Sequence, residues 1–441
     1  MNAQLDKAND NPEQISRTRA WLFLGTLVVG YIGIYLCRKN FSVAIGPIRD
    51  AFHIDKEHIG IIASYSTLAY MLGKFVFGPF IDRFGGRIAF LLSLFGVAIF
   101  CALGGMVASV PMLAFVYSLN RLAGSAGWGG MVKQVPNWFG GKSMSLAMGV
   151  LSLGFVFGGV CATVLAGYIA EWSGKNWRWV MSGPSIVLAA IFILCWVILP
   201  REPERKKRGD QVNPDDGSII QESFLARFAQ IAVIRRFWIV GSLSFTLTLL
   251  RETFNTWTVD FFKSTYGDAI STKIAAFVST PFDALGAVGI ILLGWVFGRI
   301  GKGARTWLLF TILASLAALI FVLPSIAAKS VWLATIGLGG IGFLAYGPYS
   351  LLGGVLAVEI KGKEYVATVA GIFDGVGYLA GILSGQQFGR ILDLGGYRLG
   401  FTCLAGLAAV SAVLCLFLYE WVPEKTLVGH TSETETEGAS A

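Results

Sequence analysis

Long apolar runs alternate with short polar stretches along the whole chain. A helix that crosses a bilayer needs about 20 consecutive, mostly apolar residues. Twelve runs reach that length: 20–48, 58–82, 86–108, 111–134, 144–170, 178–199, 235–263, 273–298, 305–325, 331–357, 366–391 and 398–421. Helices are expected in each, because a lone span must satisfy its backbone hydrogen bonds internally. The pattern predicts an all-α membrane protein with twelve transmembrane helices.

One polar stretch, 200–234, is much longer than the rest; it carries Arg205-Lys206-Lys207-Arg208 and a turn-rich Asn213–Ser218. We expect it to link a six-helix bundle at 20–199 to a second at 235–421, with tails at 1–19 and 422–441. The even-numbered loops hold most of the basic residues, among them Arg83, Arg87, Lys142, Arg299 and Lys302. By the positive-inside rule, linker and tails then lie in the cytoplasm. Gly78-Pro-Phe-Ile-Asp82-Arg83-Phe-Gly85-Gly86-Arg87 after the second run is echoed by Gly294-Trp-Val-Phe-Gly298-Arg299-Ile-Gly301-Lys302 after the eighth. Two related, pseudo-symmetric halves are a common build of secondary transporters.

Composition agrees. Of 441 residues only 14% are charged, against about 25% in soluble domains. The net charge of +8 sits mainly in loops, so it reads as topology rather than nucleic-acid binding. The six cysteines fall in apolar runs without metal-ligand spacing, and the histidines (53, 58, 430) lie at loops or a tail. There is no Walker loop, no metal-ligand cluster and no sign of a cofactor or an enzyme. The first apolar run has no cleavage-site pattern and is expected to remain as a span.

Charges inside the spans carry the functional reading. Arg38 and Lys39 interrupt the first run in Tyr35-Leu-Cys-Arg38-Lys39-Asn40-Phe41, and Arg251 interrupts the seventh in Thr248-Leu-Leu-Arg251-Glu252. A charge at mid-membrane costs at least a few kcal/mol and needs a partner or a ligand. A guanidinium fork suits phosphate oxygens. Two forks from different halves, facing one cavity, would hold an anion near the midplane, where rocking of the halves gives alternating access. Empty, the forks repel each other, which favours exchange over one-way passage. The competing reading pairs the arginines with buried acids, Asp283 or Asp374. Glu252, next to Arg251 and so on another helix face, is expected to be a poor partner. Arg121 in the fourth run is expected to pair internally in a structural role. Tyr35, Tyr70, Trp128, Trp257, Tyr346 and Tyr349 are candidates to line the cavity.

The loop Gly78–Arg87 resembles the G-x-x-x-D-R-x-G-R signature of the major facilitator superfamily, and the resemblance spans about 18–425. It implies that Asp82, Arg83, Arg87 and Arg299 form a conformational gate. The Tyr35–Phe41 run is similar to the Y-x-x-R-K-x-F of the organophosphate:phosphate antiporters. Ser64–Phe75, Gly127-Trp128 with Trp138-Phe139, and Asp374-Gly375 resemble further stretches of that family. The resemblance implies a phosphate site made by Arg38 and Arg251, with Lys74 and an acid at Asp283 nearby. Phe155 stands where the bacterial glycerol-3-phosphate members have a histidine.

The expected protein is thus a monomeric secondary transporter of a bacterial inner membrane. It exchanges a phosphorylated small metabolite, a sugar phosphate or glycerol-3-phosphate, for inorganic phosphate. The alternatives are a proton-coupled anion symporter using Asp283 or Asp374, and a sugar-phosphate sensor of the same fold.

Overall fold

The computed structural model describes residues 17–139, 142–200, 229–352, 356, 360 and 366–418. Most of the expected linker (201–228), most of both tails and the side chain of Asp82 lie outside the described residues.

The described chain is helical almost throughout. Its helices are α1 (Arg17–Phe52), α2 (Lys56–Phe84), α3 (Gly86–Gly104), α4 (Val110–Gln134) and α5 (Lys142–Trp172). Then come α6 (Trp177–Ile198, in two pieces joined at Gly183), α7 (Arg235–Tyr266) and α8 (Thr272–Phe297, in two pieces joined at Thr280). α9 (Lys302–Ala327), α10 (Val331–Leu352), α11 (Val366–Leu383) and α12 (Gln386–Leu416) complete the set. Among the described residues, nine stretches are apolar and long enough to cross a membrane, one of them the run Gly371–Leu416 that crosses twice. The two helices outside this count, α4 and α7, are the more polar ones and complete twelve passes.

The last two passes meet where expected, between 391 and 398, but the eleventh carries an unexpected break. The eleventh runs through α11, breaks at Ser384–Gly385 and continues into the start of α12. The turn to the twelfth comes at Gly396, whose φ of 64° takes the backbone out of the helix. Glycine tolerates that conformation without steric cost.

The packing repeats with a shift of six. α2 lies on α4 as α8 lies on α10; α1 on α5 as α7 on α11; α3 on α6 as α9 on α12. This is the two-bundle arrangement that the echoed loops predicted. The bundles meet through α1 with α7, α2 with α11 and α12, and α5 with α8.

The halves are tied most firmly where α1 ends and α2 begins. Asp260 of α7 takes Lys56 at 2.8 Å and Arg49 at 3.6 Å, and accepts the Tyr397 hydroxyl at 2.6 Å. Asp393 of α12 accepts the backbone N–H groups of Lys56 and Glu57 at 3.2 and 2.7 Å. A carboxylate there satisfies orphan donors and faces the positive end of the helix dipole. Gly60 and Gly385 let the two backbones touch: a Cβ on Gly60 would meet the Gly385 carbonyl oxygen at 2.4 Å.

Replacing Gly60 with valine is therefore expected to hold this face open. Cysteines placed at Glu57 and Gln386, whose side chains hydrogen-bond at 3.2 Å, should cross-link readily, and Gly60→Val should cut the yield several-fold. An unchanged yield would show that the face closes without this contact.

Candidate functional site

Arg38 lies near the middle of α1, and Lys39 follows it about 100° further round the helix. The two side chains serve different neighbours. Arg38 Nη2 reaches Glu252 Oε1 at 3.5 Å, while its guanidinium lies over the rings of Tyr35 and Tyr70, 5.2 and 5.0 Å from their centroids. Lys39 pairs with Asp283 of α8. Gly159 of α5 makes room for that pair, since a Cβ there would meet the Asp283 carboxylate at 2.6 Å.

Arg251 approaches from the other half. Its Nη2 donates to the same Glu252 oxygen at 2.8 Å, and its guanidinium stacks on Tyr349 at 4.3 Å. The two arginines thus converge from opposite halves on one carboxylate oxygen. The expectation that Glu252 is a poor partner is wrong. Adjacent residues do leave a helix in different directions, but both side chains are long enough to bend toward each other. In a buried site the carboxylate has every electrostatic reason to do so. Nor do the empty arginines simply repel each other, because Glu252 compensates one of their two charges.

A polar chain continues from there. Asn255 donates to Tyr346 at 3.4 Å, and Tyr346 donates to Asp283 at 2.7 Å. Arg251 Nε and Asn255 Oδ1 are both buried without a hydrogen-bond partner. Arg38, Arg251, Glu252, Asn255, Asp283 and Tyr346 all line one cavity between the halves.

Lys74, further along α2, pairs with Asp374 of α11 and lies over Tyr70 and Tyr378. Among the acids of the second half that pair with basic side chains of α1 and α2, exposure rises along this direction. The Asp260 side chain is 3% exposed, Glu252 9% and Asp374 42%. Lys56 and Lys74 are about 27 Å apart along α2, at 1.5 Å per residue. Charges are not left facing lipid, so the exposed end marks a water-filled mouth on the side of the Gly78–Arg87 loop.

Other candidates sit elsewhere. Trp257 is buried in the core and donates to the Ser384 carbonyl at 2.9 Å. Trp128 packs on Tyr31, with ring centroids 5.6 Å apart, and is not among the cavity-lining residues. Phe155 does line the cavity, stacked toward Tyr346 at 6.3 Å. Of the gate residues, Arg87 donates to the Leu199 carbonyl at 2.9 Å. Arg83 lies over Phe84, and Arg299 over Trp295. Arg121 does not pair internally: no hydrogen bond or ion pair from it occurs among the described residues, and it lies over Tyr70 at 4.8 Å.

Sequence reasoning missed the Asp260 cluster and the role of Glu252. The trace was there, because Glu252, Thr256 and Asp260 recur every four residues and mark one polar stripe on α7.

The model of the Major Facilitator Superfamily matches residues 27–385, and the chain belongs to that superfamily. It is 26% identical to a probable hexose phosphate transport protein of Chlamydia pneumoniae, over 90% of each chain. It is 24% identical to the glucose-6-phosphate exchanger SLC37A2 of Bos taurus, over 83% of this chain and 82% of that one. Both relatives carry names that refer to sugar phosphates, in line with the resemblance to the organophosphate:phosphate antiporters. In fold it matches a bacterial homologue of the human lysosomal transporter Spinster, in an inward-facing, unoccupied conformation. The TM-score is 0.74 at 16% identity, covering 91% of this chain and 97% of that one.

Glu252→Gln removes the carboxylate that occupies both arginines. Phosphate binding to the detergent-solubilised protein is expected to tighten about tenfold, or about 1.4 kcal/mol, measured by titration calorimetry; weaker binding would mean that Glu252 orders the forks instead of competing. Asp283→Asn strands Lys39 in a buried site, at a cost of about 3–5 kcal/mol. A lowered melting temperature should report this, and adding Lys39→Gln should recover most of it.

Proposed function

We propose that this protein exchanges a phosphorylated small metabolite for inorganic phosphate across a bacterial inner membrane, acting as a monomer with both termini in the cytoplasm. The observation that carries the reading is the convergence of Arg38 and Arg251, from opposite halves, on Glu252 Oε1. An anion already occupies the point between the forks. A phosphate has more charge and more oxygens to offer the same two guanidinium groups, and it displaces Glu252 when it binds.

The displacement accounts for exchange. Without substrate, Glu252 joins Arg38 of one half to its own half, so the empty protein is tied across the cavity. Phosphate or its ester releases that tie and bridges the arginines itself. It then travels with them as the mouth near Lys74–Asp374 closes and the Asp260 latch opens. Tyr35, Tyr70 and Tyr346 flank the ester, and Arg83, Arg87, Arg299 and Asp82 secure the opposite face once it has shut. Similarity to proteins named as a probable hexose phosphate transport protein and a glucose-6-phosphate exchanger supports the reading.

Reconstitution tests it. Proteoliposomes loaded with phosphate should take up labelled phosphate, and efflux should rise at least several-fold when external phosphate is supplied. Equal efflux with and without it would sink the exchange mechanism. A protonophore should leave uptake unchanged, whereas a proton-coupled symporter would slow. Arg38→Lys or Arg251→Lys keeps the charge and loses the fork; either should cut exchange by about tenfold or more, and wild-type rates would count against bidentate recognition.

A further inference from the structure

We propose that Arg121 is a third anion-binding arginine of the same cavity, and that the ester carried here bears a carboxylate as well as its phosphate. The inference rests on reading Arg38 and Arg251 as the phosphate site.

Arg121 projects from α4 and is only 5% exposed. Its Nε is buried without a partner. No hydrogen bond or ion pair from it occurs among the described residues, and its neighbour is the face of Tyr70. Arginines that serve the fold in this protein behave otherwise. Arg178 donates to the Gly105 and Val107 carbonyls, and Arg305 to those of Phe297 and Ile300. A buried guanidinium with neither an acid nor a carbonyl is costly unless a ligand supplies the anion. Arg121 lines the cavity that holds the arginine pair.

Charge balance points the same way. Lys39 cancels Asp283, and Lys74 cancels Asp374. Arg38 and Arg251 share the single charge of Glu252. The site is therefore left with one positive charge at the pair and a separate one at Arg121. Arg38 and Arg121 both rest on Tyr70, 5.0 and 4.8 Å from its centroid, so they lie no farther apart than those distances laid end to end. A short carbon chain with phosphate at one end and an acid at the other reaches both forks. A sugar presents only hydroxyls to Arg121 and leaves its charge unmatched. A second phosphate brings more negative charge than one arginine balances.

The test compares glycerol 3-phosphate with 3-phosphoglycerate, which differ by a hydroxymethyl against a carboxylate, as inhibitors of labelled phosphate exchange in proteoliposomes. The acid is expected to inhibit at roughly tenfold lower concentration or better. Arg121→Gln should bring the two esters to within about twofold, with the loss falling on the acid, and Arg121→Lys should keep part of the preference. The proposal is overturned if the wild-type protein does not prefer the acid, if a bisphosphate outcompetes it, or if Arg121→Gln weakens phosphate and both esters alike. Absence of phosphate-for-phosphate exchange in the wild-type protein, which needs no ester, would overturn the reading of the arginine pair and this inference together.

Discussion

A charge held inside a membrane protein must be met by another charge or by hydrogen bonds, because the surroundings cannot solvate it. In this chain the charges inside the spans are met largely across the boundary between the two bundles. Lys56 and Arg49 meet Asp260, Arg38 meets Glu252, Lys39 meets Asp283, and Lys74 meets Asp374. These pairs hold the halves in register, with Asp260 deeply buried and Asp374 open to water.

The same constraint makes the centre a candidate binding site. Apolar packing settles how each bundle holds itself, through close contacts such as α2 on α4 and α8 on α10. It leaves the central cavity to residues that apolar packing cannot satisfy. Glu252 offers one oxygen to two arginines, Asn255 and Arg251 keep buried atoms without partners, and Arg121 keeps a whole charge. A cavity so furnished stabilises an anion far better than it stabilises itself empty. In the proposed mechanism, movement follows from which anion, the fixed carboxylate or the mobile phosphate, sits between the forks.

Much of the fold was legible in the sequence. The run lengths gave twelve passes, and the echoed loops gave two halves. The break at Gly385 was not legible, because nothing in a glycine within an apolar run says that another backbone, at Gly60, must come against it. Arg38, Arg251, Lys74 and Asp283 stood out as charges in greasy segments and do gather at one interface. Trp128 and Trp257 did not follow, because an aromatic ring serves a core as well as a cavity.

What the sequence determined by itself was the inventory: which spans carry charge, and that those charges belong inside. Period and hydropathy are local properties, so they survive without a fold. Partner choice is not local. Lys39 had no evident task until α8 brought Asp283 to it, and Glu252 was set aside on helix geometry that two flexible side chains overrode. Arg121 was expected to pair internally, and no such partner occurs among the described residues. Only the tertiary structure decided these, because Coulomb energy depends on distances between helices that the order of residues does not fix.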